Sequence, residues 1–201
     1  MTKSQTPLII SAVLSVIVAL VSYRFLALGL DLAFPVMQEH LLERRFWFTL
    51  HISAAPLALF VGGFQFFPKL RAKRRNLHRW MGRVYGVAVL MGGVAGLVLA
   101  FQPVNGVVSG LGFGLLAIIW VYVTAKAIWL ARKGQFDEHR KWMIRSFALT
   151  FAGVTLRLYL GLFALTGMYY PEASPYLAWM CWVPNLLWAN WYLRRREPAA
   201  V

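Results

Sequence analysis

The side chains best suited to chemistry in this sequence are four histidines and one arginine: His40, His51, His78, His139 and Arg157. Neutral imidazole ligates metals and haem iron, and it exchanges protons near neutral pH. His51 lies about five residues inside an apolar run, where a polar group needs a partner. It is the first candidate for a metal or haem ligand, the alternative being a histidine bonded to a neighbouring helix. Arg157, in FAGVTLRLYLGLF, falls close to the middle of another apolar run. A charge there costs at least ~2.5–3.5 kcal/mol to insert. None of the acidic residues lies in a predicted span. The counter-charge must therefore be a backbone carbonyl, Asn185 or Gln65 as a neutral partner, a loop carboxylate folded inward, or an anionic ligand. A guanidinium presents five donors in a fixed fork, which suits a carboxylate or a phosphate.

His78 and His139 belong to two matched phrases, LHRWMGRVYG at 77–86 and EHRKWMIRSF at 138–147. Each has His-Arg, then Trp-Met, one residue and Arg, and each precedes an apolar run. They read as equivalent helix entrances in a repeated hairpin. Arg79, Arg83, Arg140 and Arg145 are candidates for contact with lipid phosphates or another anion. With His40 and His51 at one end and His78 and His139 at the other, the chain holds the minimum for two bis-histidine haem b groups. A single haem or metal centre at His51, and no cofactor at all, are the competing readings. His40 stands among charged residues as a surface group, and reaches His51 only if its segment folds back.

The elements that must position these residues are membrane helices. The chain has 201 residues, 60% hydrophobic and 14% charged. An α-helix crosses a ~30 Å hydrocarbon core with roughly 20 apolar residues, its backbone bonds satisfied internally. Six spans are predicted: 8–30, 47–68, 82–101, 108–131, 146–167 and 175–193. Residues 8–22 after Lys3 also fit a signal peptide, but the long apolar stretch and the absence of a clean A-x-A site favour a span. Segment 31–45 is expected to lie on the outer surface as a short amphipathic helix after Pro35. Gly92 and Gly96 form a small-xxx-small pair that admits a close neighbour, within one chain or in a homo-oligomer.

The net charge of +14 is concentrated in alternate connections. Six Lys and Arg lie between spans two and three with Arg83 at the start of span three, five lie between four and five, and Arg194, Arg195 and Arg196 follow the last span. That arrangement puts both termini and the basic loops in the cytoplasm and argues against nucleic acid as the partner. The lone Cys181 excludes an intramolecular disulfide and a CxxC motif. The expected fold is a single all-α polytopic bundle over 1–201.

His51 with Gly62, Gly63 and Gln65, the two His-Arg phrases, the run to Thr155–Arg157 and a final Trp-rich span with Asn185 together resemble the bacterial predicted membrane proteins termed domain of unknown function 2306. The resemblance covers about residues 46–195. It implies a multi-helix inner-membrane protein and supplies no reaction. There is no HxxxH set, P-loop, nucleophile elbow or pair of intramembrane acids. Three functions remain. The first is a redox protein holding haem or a metal, Arg157 neutralising an anionic group and the basic loops meeting a quinone or redox partner. The second is a non-catalytic protein bound to lipids or a partner. The third is a transporter or enzyme whose acidic substrate meets Arg157.

Overall fold

The computed structural model describes residues 6–101 and 105–195, and among them there is helix and no strand. The expected calls on Lys3, Arg196 and Glu197 lie outside the described residues. The chain begins with α1 (Thr6–Ser22), followed by the short α2 (Phe25–Leu28) and α3 (Leu30–Ala33) and a single turn at Pro35–Met37. The long helices are α4 (Gln38–Phe64), α6 (Arg75–Ala100) and α7 (Val107–Arg132), with α5 (Pro68–Lys73) between the first two. Next, α8 (Phe136–Thr150) passes through Phe151 into α9 (Ala152–Leu165), and α10 (Tyr170–Met180) precedes α11 (Val183–Arg194). By length and composition, five stretches can cross a membrane: Thr6–Leu28, Pro35–Phe64, Arg75–Ala100, Val107–Arg132 and Phe136–Leu165.

Two sequence expectations need correction. Segment 31–45 is not a separate surface helix, because its second half is the start of α4. The helix bends at Arg44, whose φ of −138° and ψ of 40° are not helical. The last expected span is two helices rather than one. Pro184 occupies the first turn of α11, where its missing N–H and fixed φ suit a helix start, and the break falls at Cys181 and Trp182.

Helices α4, α6, α7 and α8 close a ring: α4 packs on α6, α6 on α7, α7 on α8 and α8 on α4. Outside it, α1 lies on α4 and α9, α10 on α7 and α9, and α11 on α8. Successive long helices run in opposite directions. One end therefore gathers the Arg- and Lys-rich connections after Phe64 and after Arg132 together with Arg194, and is called here the basic end. The far end gathers the connections near Leu28, Ala100 and Leu165. The surface between the ends is apolar, with side chains such as Ile17, Val87, Leu90, Leu111, Ile118 and Leu162 all more than half exposed. Continuous exposure of that kind is stable in lipid and costly in water.

Apolar packing alone gives little specificity in lipid, so hydrogen bonds between helices matter more. Tyr85, 1% exposed, is the centre of one such set. Its hydroxyl lies 2.6 Å from Thr150 Oγ1 and 2.7 Å from Ser146 Oγ, while Trp120 Nε1 donates to Thr150 at 2.8 Å. Thr124 joins through Ser146 at 2.6 Å. Thr150 and Thr124 give their own protons to the carbonyls of Ser146 and Trp120. Tyr85 therefore donates to Thr150, and the set ends on backbone acceptors. It clasps α6, α7 and α8 together.

Candidate functional site

The close packing of α4 and α6 sets the position of His51. A Cβ on Gly92 would stand 3.2 Å from Ala55 N, and one on Gly96 would stand 3.1 Å from His51 Cε1 and Nδ1. With hydrogens there instead, the imidazole comes close against α6 and His51 Nδ1 pairs with Gly92 O at 2.8 Å. In the tautomer that donates this bond, Nε2 keeps its lone pair. That is the arrangement by which a backbone carbonyl orients a ligating histidine.

His51 lines a cavity of about 600 Å³ in the far half of the bundle. The size suits a drug- or cofactor-sized ligand. Its walls come from the end of α1 and the segment that follows it, α4, α6, α7, the end of α8, α9 and α10, and they include His40, Arg24 and Arg157. The lining is graded. Asn105, Ser109, Ser174 and Tyr170 lie toward the far end, whereas Leu116, Trp120, Leu149 and Leu156 line the deeper part. From Ser109 to Trp120 along α7 is about 16 Å at 1.5 Å per residue.

Arg157 is about 12 Å from the far end of α9, on the same helical rise. Its Nη1 donates to Gly153 O and its Nη2 to Ser22 Oγ, both at 2.7 Å. Two of its five N–H groups are thus satisfied within the chain. Neither Asn185 nor Gln65 is a partner, contrary to two of the sequence options. Asn185 donates to Ala148 O, Thr155 Oγ1 and Cys181 O at the α9–α11 contact, and Gln65 ends α4 at the basic end. Nearby, Arg24 donates from Nε and Nη2 to Ala33 O at 3.1 and 2.7 Å and lies over the Phe34 ring at 4.5 Å. Both guanidiniums line the same cavity. Among the described residues neither has a carboxylate within 4.0 Å.

The histidines do fall into two layers. His40 and His51 share the cavity. His78 and His139, in the first turns of α6 and α8, come within electrostatic reach of each other at the basic end. The structure therefore brings His51 and Arg157 together and keeps His78 and His139 apart from them. Of the phrase arginines, Arg79, Arg83 and Arg140 are exposed, while Arg145 turns inward, with Nε donating to Asn190 Oδ1 at 2.8 Å. Among the described residues no three His, Cys, Asp or Glu converge on a common point. Sequence reasoning left Arg24 out of the candidate site. Its only signal was a charge two residues beyond Ser22, at the end of the first apolar run.

Helices with an apolar exterior, bonded to each other by buried hydroxyls, define a polytopic α-helical membrane protein. The chain belongs to the predicted membrane protein family termed domain of unknown function 2306, whose model matches residues 48–193. No curated protein and no solved structure matches it. The match takes in His51, Arg157 and both His-Arg phrases, and leaves α1 with Arg24 outside.

Proposed function

We propose that this protein binds one anionic amphiphile within the membrane, headgroup against Arg24 and Arg157 and apolar body along the deeper wall toward Trp120. The observation that carries this reading is the pair of guanidiniums on one cavity without a carboxylate. Like charges in a low-dielectric site repel, and a shared anion turns that repulsion into attraction. The unused N–H groups of Arg157 offer a carboxylate or phosphate oxygen the fork it fits. Extraction into polymer-bounded nanodiscs, followed by mass spectrometry of the retained small molecules, tests it. Wild type is expected to retain an acidic amphiphile near one per chain, and Arg157→Gln at least tenfold less, with Arg195→Ala unchanged. Failure to recover such a compound from the wild type refutes the proposal.

A second reading is favoured by the Nδ1 contact of His51 with Gly92 O. Haem b is itself a flat apolar body with two carboxylates. Held here, its iron would be ligated by His51 Nε2 and its carboxylates would be met by Arg24 and Arg157, and it would supply one-electron redox chemistry. The residues present fit those roles, and the protein would then be a membrane redox protein served by a quinone or protein partner. Visible spectra of the oxidised and dithionite-reduced protein, after haem-sufficient expression, decide it. The expected result is a Soret band that His51→Ala abolishes; no band in the wild type eliminates the haem reading.

A further inference from the structure

The basic end holds a second group of polar atoms whose partners are missing. Gln65, 6% exposed, closes α4 with its Nε2 donating to nothing. His78 has a buried Nδ1 in the same condition. The two are neighbours: the Gln65 amide oxygen lies 4.0 Å from where a Cβ of Gly82 would stand, and Gly82 follows His78 by one turn on the same face of α6. From α8, diagonally across the ring, His139 comes within electrostatic reach of His78, as do Arg71 and Arg79. The Nδ1 of His139 is engaged by Ala127 O at 2.8 Å, which leaves Nε2 as its free nitrogen.

A buried polar atom left unbonded carries a desolvation penalty, so two together call for a partner from outside the chain. The surroundings decide its charge. Arg71 and Arg79 make the local field positive, which repels a divalent cation and attracts an anion. An amide N–H, imidazole N–H groups and guanidinium forks are the donors that phosphate oxygens accept from.

We propose that Gln65, His78 and His139, with Arg71 and Arg79, form a phosphate-binding site at the basic end of the bundle. It is independent of the cavity, which lies in the other half of the membrane. The same chemistry serves a phospholipid headgroup or a free phosphate, and the test separates them. Protein purified in a phosphate-free maltoside detergent is titrated in one arm with inorganic phosphate and in another with a short-chain phosphatidylglycerol. Chloride at matched ionic strength is the control, and native mass spectrometry and melting temperature are the readouts. Saturable binding is expected in at least one arm, weakened at least tenfold by His78→Ala and by Gln65→Leu. Binding in the lipid arm alone identifies a headgroup, and binding in both arms a phosphate group as such. Gln65→Leu removes an unbonded amide and so keeps the fold, which leaves the test valid where His78→Ala fails to fold. No saturable binding in either arm, or binding equal to wild type in Gln65→Leu, overturns the proposal.

Discussion

At Gly96 one hydrogen decides where the imidazole of His51 can lie. A methyl group there would meet Cε1 and Nδ1 at 3.1 Å, closer than ordinary contact, so the ring must tilt away from Gly92 O. Losing that bond costs about 1 kcal/mol, and the tilt also re-aims Nε2 within the cavity. Gly96→Ala is therefore expected to weaken ligand retention about tenfold, the equivalent of ~1.4 kcal/mol, while the melting temperature in detergent moves little. Gly161→Ala is the matched control, since a Cβ there meets nothing within 4 Å. The measurement is ligand retained per chain for the two variants side by side. Equal retention would show that the orientation of His51 plays no part in binding.

At the scale of elements, residue type was legible in the sequence and convergence was not. His51 and Arg157 declared themselves by being polar inside apolar runs, and the glycines of α6 by their spacing. Arg24 did not, because it lies near the end of the first apolar run and reads as interfacial on hydropathy alone, and His40 read as a surface group unless its segment folded back. What brings them to the cavity is tertiary: Ser22 accepts from Arg157 across 135 residues of sequence, and α4, which bends at Arg44, carries His40 into the cavity wall. The helices also outrun the apolar windows. Thus α6 begins at Arg75, not near Gly82, because a helix entering the headgroup layer keeps its own backbone bonds whatever its side chains. The break before α11 did have a local signal in Pro184, hidden by an otherwise even hydropathy. Gln65 was read as a partner for Arg157 from its polarity, and only the antiparallel run of α4 puts it beside His78 instead.

For the whole molecule the open quantity is orientation, and the charge distribution argues it. Residues 69–83 and 132–145, at the basic end, carry 12 of the 21 Lys and Arg, whereas the connections after Ala100 and Leu165 carry none. Basic connections tend to be retained on the cytoplasmic side during insertion, so the expected orientation has the cavity end outward and the His78–His139 layer inward. Single cysteines can read this directly, because the native Cys181 is buried and can be replaced by alanine. In that background Lys73→Cys and Phe136→Cys sample the basic end, and Val107→Cys and Tyr169→Cys the far end; all four sites are exposed. A membrane-impermeant maleimide applied to intact cells with a permeable outer layer is expected to label Val107→Cys and Tyr169→Cys, and to reach the other two only after lysis. The reverse pattern would open the cavity to the cytoplasm and make a cytoplasmic anion, not an external or outer-leaflet one, the ligand to seek at Arg157.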